Sequence, residues 1–183
     1  MLKIHIPETE AYSNEYNRFI NVKETDITLE HSLISISKWE AKYHKAFLDE
    51  KVEKTNEELI DYIRFMSLSS NVDPNAFMVI PNDEMNRILA YIKDSQSATT
   101  FTDSKTGKAS RDIITSELIY YWMVSLQIPF ECQKWHINRL LTLVKICNIK
   151  NSPPDKRKMS RNEIYAQNRM LNAQRRAKLH SKG

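Results

Sequence analysis

Residues 113–148 read IITSELIYYWMVSLQIPFECQKWHINRLLTLVKICN, the densest run of large apolar side chains in the chain. In its first half Ile114, Leu118, Tyr121, Trp122 and Leu126 recur every three to four residues, which predicts one apolar face of a helix. In its second half Ile137, Leu140, Leu141, Val144 and Cys147 repeat that spacing, and Leu143 and Ile146 widen the stripe until it calls for burial on more than one side. Pro129 lacks an amide donor and restricts its predecessor, so the two helices should meet at a Gln127-Ile128-Pro129 corner. The fold expected from this stretch is a helical-hairpin core.

Working outward toward the N-terminus, Leu2, Ile4 and Ile6 alternate with Lys3 and His5, the two-residue period of a half-exposed strand that Pro7 ends. RFINV (Arg18–Val22) and DITLE (Asp26–Glu30) alternate likewise, so a small antiparallel hairpin or meander is expected at this end. Ser32 has the chemistry of a helix cap ahead of LISISKWEAKYHKAFL, where Leu33, Ile36, Trp39 or Glu40, and Tyr43 keep helical spacing. A strand over SLISIS is the competing reading. Thr55 and Glu58 form a capping-box pattern for a helix over 56–67 that buries Leu59, Ile60, Ile63 and Met66. Between Pro74 and Pro81, AFMVI reads as a short apolar turn or strand. Asn82 should cap a helix to Lys93 with Met85, Ile88, Leu89 and Ile92 inward. Residues 94–111 are a polar surface connection, in which TTFT could form a brief strand.

On the C-terminal side, Asn151-Ser152-Pro153-Pro154 breaks the helical pattern and divides the chain into a mostly helical domain over 1–150 and a linker with a basic helix over 151–183. Ser160 and Glu163 form a second capping-box pattern for a helix from Arg161 to Lys178. Its apolar positions are sparse, so it should be solvated or bound to a partner. The fold class is therefore mainly α with a small N-terminal antiparallel β element, an α+β chain.

The chain of 183 residues carries a net charge of +4. That charge is divided unevenly, since ten Lys and Arg face only Asp155 and Glu163 from Lys150 onward, while the rest is net acidic. Gly107 and Gly183 are the only glycines, so the Gly-rich loops that let backbone amides approach phosphate are missing. No apolar run reaches the roughly 20 residues that span a bilayer, and the first residues lack a signal-peptide hydrophobic region. Cys132 and Cys147, on the buried hairpin, read as reduced core thiols rather than a disulfide.

Four clusters invite a functional reading. Cys132 and His136, four residues apart, suggest zinc, but a structural site needs four ligands and no second short pair completes the set. His31 and His44 with the cysteines could form a Cys/His nucleophilic pair, against which scattered surface histidines are the simpler reading. Trp135, His136, Asn138 and Arg139 are either a structural shoulder, with Trp135 closing the corner over Trp122 or Phe130, or a Trp/Arg patch of the kind enriched in binding hot spots. The basic tail, with Arg169, Arg175 and Arg176, suggests phosphate binding, although Tyr165 is its only aromatic and gives no stacking platform. No catalytic residue, cofactor site or metal site follows from these patterns.

The run over 116–148, the opening LKIHIP, the segment LEHSLISISKWE (Leu29–Glu40) and the closing LNAQRRAKL together resemble small tail-region proteins of tailed bacteriophages and prophages of Gram-positive bacteria. WHINRLL, from Trp135 to Leu141, is among the most distinctive of these stretches. The resemblance covers most of the chain and implies a non-enzymatic tail assembly chaperone in the host cytoplasm, which coats the helical tape-measure protein before the tail tube polymerises around it. It implies a tape-measure or other tail protein as partner, and the Trp/Arg patch and basic tail nominate Trp135, His136, Arg139, Arg169, Arg175 and Arg176 to meet it, with self-association as a further expectation. The alternatives are a nucleic-acid-binding or packaging accessory protein and a minor virion component.

Overall fold

Alternation over Leu2–Ile6 produces strand β1, whose Ile4 and Ile6 are buried while Lys3 and His5 face solvent. In the computed structural model, which describes residues 1–13, 18–101, 113–151 and 161–179, β1 pairs antiparallel with β4 (Thr25–Leu29). Strand β2 (Thr9–Ser13) pairs with β3 (Arg18–Val22) in the same register, so Leu2 lies opposite Leu29 and Thr9 opposite Val22. The two ladders are one long hairpin interrupted around Pro7, which has no amide to donate. The meander expected from sequence lacked β2, because TEAYS has no apolar alternation and is held as a strand by its partner. β4 also starts and ends one residue earlier than its alternation indicated.

Ser32 caps α1 (Leu33–Tyr43): its hydroxyl accepts the Ser35 amide at 3.3 Å, and the Ser35 hydroxyl accepts the Ser32 amide at 3.1 Å. This settles the choice between helix and strand for SLISIS. Leu33, Ile36 and Trp39 are fully buried. The helix stops at His44, in left-handed conformation with φ 53°, instead of running on to Leu48. The departing chain then brings Phe47 back against Trp39 and the ring of Tyr62.

Thr55 and Glu58 form their capping box, at 3.2 and 2.9 Å, for α2 (Asn56–Met66). Ile63 and Met66 are buried as expected, but Tyr62 joins them while Leu59 and Ile60 are only half-buried. The chain leaving α2 runs beside the second edge of β4: the Glu30 amide donates to Met66 O at 2.9 Å and the Leu68 amide to Thr28 O at 2.8 Å. That edge is thereby closed to other strands. AFMVI resolves as a 3-10 turn (Pro74–Met78) capped by Asp73. Helix α3 (Asn82–Lys93) packs on β1 through Ile88; Asn82 is its first helical residue, and Pro81, without a side-chain bond, holds the cap position. Residues 98–101 form no strand, and Thr102, with the rest of that connection through 112, lies outside the described residues.

The two arms of the 113–148 stretch are α4 (Ser116–Ser125) and α5 (Ile137–Asn151), with a 3-10 corner (Phe130–Lys134) between them. Both α4 and the 3-10 corner pack on α1, so the hub of the fold is the LEHSLISISKWE helix and the arms are gathered on it. The inward face of α4 also differs from the expected one. Ile119 and Met123 are buried, whereas Leu118, Trp122 and Leu126 are half-buried and Ile114 and Tyr121 exposed. A helix apolar on most sides leaves its orientation to tertiary packing. On α5, Ile137, Leu140 and Val144 are buried and Leu141 and Cys147 half-buried. The end of α4 is a Schellman closure: Ile128 donates to Met123 O at 2.8 Å and Gln127, at φ 54°, to Val124 O at 3.2 Å. Pro129 follows where the chain has already turned.

The chain divides into two compact units, Met1–Cys147 and Asn148–Gly183. The second contains the last turn of α5 and helix α6 (Arg161–Leu179), whose described side chains are all exposed. The expected Ser160 cap and Pro153-Pro154 linker lie outside the described residues.

Candidate functional site

The WHINRLL stretch begins where α5 meets the end of α3, and its polar side chains are committed there. His136 sits at the N-cap position of α5, where its Nδ1 accepts the Asn138 amide at 3.3 Å. Its Nε2 lies 3.0 Å from Tyr91 O and must donate, because a carbonyl can only accept. Asn138 Nδ2 donates to Ile92 O at 3.1 Å and Asp94 O at 2.7 Å. Two side chains therefore donate to carbonyls at the C-terminus of α3, where His136 shares Tyr91 O with the Asp94 amide and Asn138 supplies donors that the helix itself lacks. His136 must be neutral for this geometry, and burial with a 5% exposure lowers its pKa.

Beneath it lies His31, 2% exposed, with its ring 5.0 Å from that of His136. The Tyr62 hydroxyl hydrogen-bonds to His31 Nδ1, and the His31 carbonyl accepts the Ile137 amide at 2.7 Å. Burial, reinforced by the neighbouring His136, pushes the His31 pKa down to about 3. Burial likewise pushes the Tyr62 phenol up. The Ser35 hydroxyl donates to Ser32 O at 2.7 Å, and Glu30 accepts the Tyr91 hydroxyl at 2.7 Å. Histidine, serine and tyrosine thus converge as buried groups whose hydrogen bonds hold the helix junction. The surface placement expected for the histidines fails for His31 and His136: sequence carries no sign that their elements pack together. Among the described residues, His5 and His44 are the exposed histidines.

Glu40 is buried as well, its two carboxylate oxygens accepting the amides of Phe47 at 2.9 Å and Ser116 at 2.7 Å. Trp39 Nε1 donates to Glu58 O at 2.8 Å. The SKWE segment is therefore the structural fastening of α1 to its neighbours.

The outer side of α4 and the 3-10 corner, by contrast, is accessible. Tyr121 and Val124, three residues apart on α4, are 64% and 61% exposed, and Phe130 is 53% exposed. Tyr120 connects the two elements, its ring 6.4 Å from Phe130 and its hydroxyl donating to Gln133 Oε1 at 3.0 Å. The corner leads directly to half-buried Trp135, over whose ring the exposed Arg139 guanidinium lies at 4.3 Å. This stack replaces the expected closure of Trp135 over Trp122 or Phe130. Of the sequence-nominated residues, Trp135 and Arg139 are together and accessible, while His136 is turned inward. Arg169, Arg175 and Arg176 are exposed on α6, in the other unit. Tyr121, Val124 and Phe130 were missed as surface groups because an apolar residue in an apolar helix gives no sign of which way it faces.

A concavity of about 420 Å³ elsewhere is lined by Arg64, Lys42, Asp61, Phe65 and Phe77. Asp61 accepts from Lys42, Arg64 and the Tyr43 hydroxyl, so both cations there already have a carboxylate partner.

Among the described residues no group of three or more His, Cys, Asp or Glu side chains could hold a metal ion, and no helix is long and apolar enough to cross a membrane. Compared with known protein families, curated proteins and solved structures, the chain finds no match.

Proposed function

We propose that the protein is a non-enzymatic chaperone of phage tail assembly that holds an amphipathic helical segment, that of the tape-measure protein, in the cytoplasm of a bacterial host. The observation that carries this reading is the apolar side of α4 and its corner: Tyr121, Val124 and Phe130 stand in solvent while Ile119 and Met123 opposite are fully buried. Large apolar groups outside a core favour a partner, and Tyr121 and Val124, three residues apart on α4, suit another helix laid along them. The sequence resemblance supplies the identity of that helix. Co-expression with tape-measure segments, followed by co-purification at low and high salt, tests it. A segment should co-purify at both salt concentrations, because apolar burial is little screened. Loss of co-purification in Tyr121→Ser/Val124→Ser places the contact on α4, and failure of every segment to co-purify rejects the reading.

Helix α6 favours a second reading, in which the chain contacts nucleic acid, since its exposed Arg169, Arg175, Arg176 and Lys178 face one acidic residue of the same helix, Glu163. Neutralisation of four phosphates by these groups would lose about 10²-fold in affinity as salt rises from 50 to 200 mM. Duplex DNA binding with that dependence, abolished by truncation at Ser152, would favour this reading over the first.

A further inference from the structure

The stretch from Cys132 to Lys150 contains Lys134, Arg139, Lys145 and Lys150 and no aspartate or glutamate. Among the described residues none of Lys134, Arg139 or Lys145 forms an ion pair, in contrast to Lys42, Lys45, Arg64 and Arg87, each of which has a carboxylate within 4 Å. Two of these unpaired cations are nevertheless held in place. Arg139 lies over the Trp135 ring at 4.3 Å and Lys145 over the Phe101 ring at 3.9 Å. A guanidinium stacked on an indole keeps its N–H edge directed outward, and its planar fork matches a carboxylate. Among the described residues no carboxylate lies within 4 Å of Arg139, that of the exposed Glu131 on the corner included.

We infer that Arg139, held on Trp135, is a receptor for a carboxylate of the docked helix, so that the partner is an amphipathic helix with acidic residues flanking its apolar face. This rests on the helix-holding reading of the α4 surface and specifies the chemistry of what is held. The apolar groups Tyr121, Val124 and Phe130 take the partner's apolar stripe. Arg139 selects acidic over basic flanks, a choice that apolar burial alone cannot make. The site's charge also differs from the chain's basic tail in its use: one fork placed for bidentate pairing, instead of a run of charges on a solvated helix.

The test uses the full chain and two synthetic peptides of about 20 residues, long enough for five to six helical turns. Both carry the same Leu/Ile face; one has Glu at the flanking positions and its twin has Lys. Fluorescence anisotropy of labelled peptide should show the Glu peptide binding at least about tenfold more tightly than the Lys peptide at low salt. In Arg139→Gln the preference should shrink below about threefold, and Arg139→Lys should restore only part of it, because an ammonium keeps charge without the fork. Circular dichroism of each variant checks that the fold is retained, as expected for an exposed side chain. Equal binding of the two peptides, or an unchanged preference in Arg139→Gln, overturns the acidic-partner inference while the helix-holding surface stands. Failure of both peptides to bind removes the surface itself.

Discussion

The carboxylate of Glu40 accepts the backbone amide of Ser116 at 2.7 Å across 76 residues of sequence, joining α1 to the first turn of α4. Its other oxygen holds the Phe47 amide, so one buried side chain anchors two segments. The position also suits the positive end of the α4 dipole. Glu40→Ala would strand both amides, and a loss of about 3 kcal/mol or more in urea unfolding is expected, with Glu40→Gln less damaging because one oxygen remains. A cost below about 1 kcal/mol for the alanine variant would show that water replaces the carboxylate.

The histidine pair makes stability depend on pH. Burial holds His31 at about 3 and lowers His136, both below the ordinary value of 6.5, so the folded protein binds fewer protons than the unfolded chain. The sign follows: folding is unaffected by these groups above about pH 6.5 and is weakened as pH falls below it, by up to about 1.4 kcal/mol per pH unit for each group. Unfolding midpoints at pH 7.5 and 5.5 measure this above the range where carboxylates titrate. A midpoint unchanged between those values would contradict it.

Adjacent leucines on α5 should respond differently to truncation. Leu140 is fully buried, and Leu140→Ala should cost about 2–5 kcal/mol, as large-to-small changes in packed interiors do. Leu141 is half-buried, and its alanine variant should cost clearly less. Equal losses in chemical denaturation would place Leu141 in the core after all.

Every member of the buried apolar cluster belongs to Met1–Cys147, and none to the C-terminal unit. Removal of residues 152–183 should therefore leave the body folded, with a melting temperature within the roughly 2–4 °C that 1 kcal/mol produces in a chain of this size. A larger drop in a thermal scan of the truncated protein would show that the tail contributes to the body's stability.

Local chemistry was legible in the sequence wherever a few neighbouring residues decide the outcome. The cap at Ser32, the capping box at Thr55, the Gln127-Ile128-Pro129 corner and the alternation of β1 and β3 each depend on hydrogen bonds or dihedrals within a few residues, and each lies where its residues indicated. Facing was not legible in α4, whose Ile119 and Tyr121 are equally apolar to any periodicity, and only packing against α1 chose the first for burial and left the second in solvent. The same limit applied to the site. Trp135 and Arg139, close in sequence at the start of α5, could be grouped from the sequence, while His136 between them was claimed by Tyr91, 45 residues away, and His31 by Tyr62, 31 residues away. Those partners meet only because the hydrophobic core brings β4, α2, α3 and α5 together, and burial there turns histidines that sequence alone would place in water into neutral structural groups.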